Sequence, residues 1–158
     1  MQRLVGDWAV ARTLARVPHP YTDGMAEEWI ESLAGGFASG RAFVFALERR
    51  SDGAFIGVVG IERSADGVYV LGYWLGRSYW GRGYMTEAAV RAGRYAFDDG
   101  SVDRINASAL PENAASIAIL RRLGMTDEGR TVMDLPARGK RREVIRFSLR
   151  HEDFEVHG

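Results

Sequence analysis

The residues best suited to chemistry lie between Tyr73 and Glu87, in the stretch YWLGRSYWGRGYMTE. A strand-like segment runs into a glycine-rich turn, Gly76 to Gly83, and the turn opens directly into a helix with Thr86 and Glu87 in its first turn. That order aims free main-chain N–H groups and the positive end of a helix dipole at one spot, which suits a phosphate or pyrophosphate. Gly81 and Gly83 let the main chain approach the oxygens with no Cβ between, Thr86 supplies a hydroxyl, and Arg77 and Arg82 supply charge. A turn that merely joins a strand to a helix fits the same residues. Two specific phosphate loops are excluded. No Lys follows Gly83, as the ATP-type loop requires, and Tyr84-Met85-Thr86 breaks the dinucleotide fingerprint, whose third glycine belongs there.

The elements that must hold this turn follow from periodicity. Leu4, Trp8, Val10, Leu14 and Val17 recur at helical spacing until Pro18 and Pro20. Thr22 or Asp23 caps a second helix, with Glu27 and Glu28 at its positive end, and Met25, Trp29, Ile30 and Leu33 form its apolar stripe. Trp8 and Trp29 are expected in the core. Strands are expected at Arg41–Arg49, Ala54–Glu62 and Val68–Leu75, separated by the turns Ser51-Asp52-Gly53 and SADG at 64–67. Gly72 inside the third strand suggests a bulge or a close approach. A helix over Tyr84–Phe97, a strand over Val102–Leu110, a helix over Ala114–Leu123 capped by Gly124, and strands over Met125–Leu135 and Arg141–Leu149 complete the chain. The order α-α-β-β-β-α-β-α-β-β implies a mixed α/β fold with one parallel pair in a mostly antiparallel sheet.

Composition narrows the function. The 158 residues fit one domain, 1–158, with enough core to need no disulfide or metal staple. There is no cysteine, hence no thiolate nucleophile and no cysteine-ligated zinc. Lys+Arg and Asp+Glu are 21 each, a balance that argues against nucleic-acid or membrane-surface binding, and no run is apolar enough to span a bilayer. The expected compartment is the cytoplasm. Glycine is the anomaly, 19 of 158 residues against a typical share of ~7%.

Leu71-Gly72-Tyr73-Trp74-Leu75 followed by Tyr79 to Ala88 (YWGRGYMTEA) resembles motif A of the GNAT superfamily of acyl-CoA-dependent N-acetyltransferases, in the version of its ribosomal-protein N-terminal-acetylating, Rim-type branch. His19-Pro20-Tyr21, Pro111-Glu112-Asn113-Ala114-Ala115-Ser116 and Leu120 to Met125 match that branch in the same order, so the resemblance covers nearly the whole chain. Two departures stand out. Ser78 occupies a position where the superfamily has Gln or Arg, and Met1 nearly abuts the first helix where the family begins with a strand, so either that strand is missing or the start site is internal. The second departure leaves the strand at Arg41 as a bare edge that invites dimerisation.

The resemblance implies a GNAT fold in which acetyl-CoA lies between two splayed parallel strands, here Val68–Leu75 and Val102–Leu110. Its pantetheine arm would pair with the main chain of Tyr73, Trp74 and Leu75, and its pyrophosphate would sit on the N–H groups of Arg82 to Thr86, with Trp80 as a lid beside Gly81. An amine, from a protein N-terminus or a small molecule, would attack the thioester directly in a ternary complex. An N–H near Trp74–Leu75 would hold the carbonyl oxygen as it gains charge. Glu62 is the candidate general base, acting through water, or else an exposed strand-end charge. Asn113 caps the later helix and, on the family reading, also bonds the pantetheine arm; Ser116 would face the sulfur and donate its proton. Arg121 and Arg122 either approach the 3′-phosphate or form a solvated face. His19 and Tyr21 would flank the acceptor entrance, His19 as a pH-sensitive group or plain loop, and His151 and His157 fall in a tail with no metal expected. The rival class is a non-catalytic acyl-CoA-binding sensor with the same pocket, and a truncated, poorly active relic is a further one.

Overall fold

The computed structural model describes the main chain of residues 1–157 and the side chains of residues 1–154. Gly158 and the His157 side chain, to which the domain boundary and the tail assignment extended, lie outside the described residues. The elements are α1 (Gln2–Val5), α2 (Trp8–Ala11), α3 (Met25–Ser32), β1 (Ala42–Glu48), β2 (Phe55–Arg63), β3 (Tyr69–Leu75), α4 (Tyr84–Asp98), β4 (Arg104–Ala109), α5 (Ala114–Arg122), β5 (Thr126–Leu135), β6 (Lys140–Arg150) and α6 (His151–His157). No helix among the described residues is long and apolar enough to cross a membrane.

The six strands form one sheet in the order β1-β2-β3-β4-β6-β5. Every neighbouring pair is antiparallel except β3 and β4. This is the mixed, mostly antiparallel sheet with one parallel pair that the element order implied. Side-chain alternation sends successive residues to opposite faces. Ile61, Val59, Leu71, Tyr73 and Phe43 join the core under α4 and α5, whose inward residues include Met85, Ala89, Ala96, Phe97 and Leu120. Val58, Trp74 and Val44 face the other way, against Val5, Val10, Tyr21 and Trp29 of the N-terminal helical layer. The sheet is therefore sandwiched between two helical layers.

The N-terminal layer differs from the expected single helix over Leu4–Val17. Asp7 leaves helical geometry (φ −60°, ψ 125°) and its carboxylate accepts the Ala9 N–H at 2.9 Å, so one helix ends at Val5 and a second begins at Trp8. A capping side chain has outcompeted helical continuity. Trp8, expected in the core, is 51% exposed. Its ring lies 4.9 Å from that of His19 and beneath the Arg138 guanidinium at 5.2 Å. Ile30, placed on the apolar stripe of α3, is also exposed, whereas Trp29 packs inward as expected. The cap of α3 is Gly24 at φ 90°, in place of Thr22 or Asp23. At the far end the tail is helical, and Phe154 of α6 packs on Phe97 with ring centroids 5.3 Å apart.

Gly72 marks no bulge: β2 and β3 stay in continuous register from Gly57↔Leu75 to Arg63↔Tyr69, with Gly60 opposite Gly72. The close approach lies instead at Gly57, where an added Cβ would stand 2.3 Å from the Trp74 carbonyl oxygen and 2.8 Å from a Leu75 methyl. Gly57→Ala is expected to lower stability by about 2 kcal/mol, the scale of overpacking a close-packed interior. Gly72→Ala, whose Cβ would meet nothing within 4 Å, is expected to cost far less. Urea-denaturation midpoints of the two variants check the contrast.

Candidate active site at the β3–β4 opening

β3 and β4 pair over two positions only, Tyr69↔Ile105 and Val70↔Asn106. Beyond them β3 remains bonded to β2 as far as Leu75, while β4 runs along β6 from Arg104↔Arg150 to Ala109↔Ile145. The two strands are held by different partners and diverge, giving the splay expected for Val68–Leu75 and Val102–Leu110. The Gly76 N–H donates to the Ile56 carbonyl at 2.9 Å. Strand alternation then turns the main-chain groups of Gly72 and Trp74 toward β2 and those of Leu71, Tyr73 and Leu75 toward the opening. Of the three residues expected to pair with a pantetheine arm, Tyr73 and Leu75 face the gap and Trp74 does not. The Leu75 carbonyl is already taken by the Trp80 indole N–H at 2.9 Å, so Trp80 ties the strand end to the turn.

The turn itself has the geometry its glycines suggested. Gly81 and Gly83 both adopt left-handed conformations, φ 72° and 80°, which L-residues with a Cβ rarely hold. Gly83 caps α4 and supplies no side chain for the helix end. Among the described residues no main-chain acceptor takes the N–H groups from Gly81 to Thr86. Space beside both glycines is open: a Cβ would meet nothing within 4 Å. Unpaired donors, a positive helix end and open space together form a cradle for an anion, with Arg77 and Arg82 exposed beside it. The Arg49 guanidinium, which no local pattern places here, lies 5.3 Å over the Tyr79 ring. Its hydrogen bond to Asp52 holds that carboxyl down at about 2, so Arg49 comes to the turn already paired.

On the other side of the opening, Asn113 caps α5 as read, its Oδ1 accepting the Ser116 N–H at 3.1 Å. Ser116 Oγ lies 2.7 Å from the Tyr73 hydroxyl. The sequence points to Tyr73 for its main chain alone; its hydroxyl is a candidate group that sequence reasoning misses, since nothing local signals a contact across 43 positions. Burial pushes the Tyr73 phenol up to about 12, against the smaller pull of its Ser116 hydrogen bond.

Glu62 lies on the opposite face. It pairs with Val70, three residues up β3 from Tyr73, about 10 Å along the strand. It is exposed at the strand end. Tyr21 joins the cluster around Trp74, while His19 stays outside it, exposed against Trp8. Arg121 and Arg122 are exposed at the end of α5. The structure thus brings Tyr73, Asn113 and Ser116 together, sets the turn beside them, and leaves Glu62 and His19 apart.

The profile of the acetyltransferase (GNAT) domain family matches residues 1–126. The chain belongs to the GNAT acetyltransferase family. Its members are acetyl-CoA-dependent acyltransferases, and so is this chain. It is 32% identical over 118 residues to the ribosomal protein uS5-alanine N-acetyltransferase of Escherichia coli, which covers 73% of this chain and 61% of that relative's length. The ribosomal-protein-S5-alanine acetyltransferase of Vibrio fischeri shares the fold with a TM-score of 0.82 at 23% identity, over 97% of this chain and 87% of that one. RimJ of Mycobacterium smegmatis, solved in complex with CoA-disulfide, aligns with a TM-score of 0.70 at 25% identity over 83% and 68% of the two chains. The likeness to the Rim-type branch is met by relatives of that kind.

Loss of the Asn113 cap tests the frame of the site. Asn113→Ala is expected to destabilise by about 1 kcal/mol, the usual value of an N-cap side chain. That is roughly a 2–4 °C fall in melting temperature for a domain of this size. Asn113→Asp, which keeps the acceptor, is expected to melt close to the wild type.

Proposed function

We propose that the chain is a single-domain N-acetyltransferase that moves acetyl from acetyl-CoA to a primary amine, a protein N-terminus or a small amine, by direct attack in a ternary complex. One observation carries the reading: the N–H array from Gly81 to Thr86 lies at the end of the same strand whose free edge, at Tyr73 and Leu75, faces the β3–β4 opening. A diphosphate on the first and an amide-bearing arm along the second would satisfy main-chain groups that the protein leaves unpaired. The CoA-bound RimJ relative supports the choice of cosubstrate.

The side chains divide the chemistry by sheet face. Tyr84, Met85, Thr86, Gly81, Arg82 and Gly83 hold the diphosphate through main-chain N–H groups, and Trp80 closes the turn. The Leu75 N–H, free to face the gap, bonds the carbonyl oxygen as it gains charge. Ser116 faces the sulfur and steadies it as the C–S bond breaks. Asn113 keeps two amide hydrogens beyond its capping oxygen, enough to bond the pantetheine arm. The amine enters from the N-terminal layer, past Tyr21 and His19. It must shed a proton to attack, and Glu62 takes that proton through intervening water, since its partner Val70 lies five residues, ~17 Å along the strand, from Leu75, beyond direct reach.

Free-thiol release from acetyl-CoA, followed across peptides with an N-terminal alanine, spermidine and an aminoglycoside, tests the activity. Release with at least one amine is the expected result, whereas tight CoA binding with no release across the panel favours the sensor. Glu62→Gln is expected to lower kcat at neutral pH at least tenfold while leaving CoA affinity intact, and an unchanged kcat removes Glu62 as the base. Gly83→Val should fold, since its Cβ meets no protein atom, at a strain of about 1–2 kcal/mol. It should also lose most CoA affinity by calorimetry, because the new side chain occupies the diphosphate niche.

A further inference from the structure

The Tyr73 side chain reaches from β3 to the first turn of α5, and its hydroxyl ends 2.7 Å from Ser116 Oγ. Either oxygen has the geometry to donate. Bond length and acidity favour the phenol as donor to Oγ. The Ser116 carbonyl, the other acceptor within reach of the single phenol proton, lies farther off at 3.4 Å. A phenol is a stronger acid than an aliphatic alcohol and is the better donor of the two. Burial raises the phenol more than the Ser116 bond lowers it, so Tyr73 keeps its proton across the neutral range. A serine oxygen that accepts from tyrosine has its own hydrogen free for another acceptor. The Ser116 main chain cannot drift from this arrangement, because its N–H is fixed on Asn113 Oδ1.

We propose that Tyr73 is a positioning residue for the leaving group: its buried hydroxyl donates to Ser116 Oγ and so turns the serine proton toward the β3–β4 gap, where the sulfur of coenzyme A would lie. The inference rests on the acetyl-CoA reading above. As the C–N bond forms, the C–S bond breaks with its electron pair going to sulfur. The Ser116 O–H holds that negative charge by a hydrogen bond. Tyr73 keeps its proton throughout, since transfer from a phenol at about 12 to a thiolate near ~8.5 is uphill. The thiolate then leaves as such or takes a proton from water.

The test needs no acceptor. If the pair stabilises a thiolate, affinity for CoA must rise with pH toward the free thiol's ~8.5, whereas desulfo-CoA, which lacks the thiol, must not show this gain. Calorimetric titrations of both compounds at about pH 6.5 and about pH 9.5, on either side of that value, compare the wild type with Tyr73→Phe, Ser116→Ala and the double variant. In the wild type the preference for CoA over desulfo-CoA is expected to grow about tenfold between the two pH values, the worth of one hydrogen bond to a charged group. Tyr73→Phe keeps the ring and its packing and should lose most of that growth while binding desulfo-CoA normally. Ser116→Ala should abolish it, and the double variant should be no worse than Ser116→Ala. Full growth in Tyr73→Phe, or none in the wild type, overturns the proposal while leaving the cosubstrate assignment standing. Failure of the wild type to bind either compound overturns the cosubstrate assignment and this inference together. Failure of Tyr73→Phe to bind desulfo-CoA overturns the proposal, since the hydroxyl then serves binding of the arm rather than the serine proton; retained growth in Ser116→Ala overturns it as well.

Discussion

The parting of β3 from β4 after two residue pairs is the constraint on which the rest of the structure depends. It is imposed by competition for partners: β3 is held along its length by β2, and β4 is held by β6. A sheet that stayed closed would satisfy its main-chain groups and leave no room for a third ladder. One that opens exposes the N–H and C=O groups of alternate residues, and unpaired groups near an interior carry a free-energy cost until something bonds them. An amide-rich chain of the right length removes that cost. The opening therefore selects for its ligand through main-chain chemistry, which is why side chains along the gap are free to take on catalysis.

The same alternation partitions the reaction. Tyr73 presents its side chain to the α5 face, beside Ser116, while Glu62 belongs to the face that carries Val58 and Trp74. On the proposed mechanism, leaving-group and amine-side chemistry would lie on opposite sides of one sheet and meet only through the gap, which would keep the proposed base, Glu62, away from the proposed sulfur-facing hydroxyl of Ser116. It also explains how a chain of zero formal charge can carry an anion site: the positive potential comes from oriented amides and a helix end rather than from net charge.

Local signals in the sequence read true, and long-range ones were silent. Gly81 and Gly83 sit in left-handed conformations because the turn needs them there, and a residue pattern announces that need. Asn113 caps α5 because the capping bond spans three residues. The meander strands were placed within one or two residues by their turns. Where a tertiary choice overrode a local one, the sequence misled. Asp7 could have been an ordinary helix-surface residue, and its carboxylate instead starts a new helix. Trp8 has core composition but is partnered by His19 and Arg138 at the surface. The Gly72 anomaly suggested a bulge, whereas the tight contact sits across the ladder at Gly57, whose need for a bare Cα depends on the neighbouring strand's carbonyl. The Tyr73–Ser116 contact joins a strand to a helix far along the chain, with no periodicity to report it.

The two halves of the site differ in rigidity for the same reason. The donor side is built from strands, the cap of a nine-residue helix and the start of a fifteen-residue one, elements whose geometry is over-determined by ladders and packing. The N-terminal layer, the proposed acceptor side, is made of two four-residue helices, an irregular segment through His19 and Tyr21, and an eight-residue helix with no buried residue. Short helices contribute little stability of their own and depend on packing for their form. On the proposed reading, a scaffold arranged this way would hold the cosubstrate on its sheet and leave recognition of the amine to the N-terminal loops, where substitutions cost the core little.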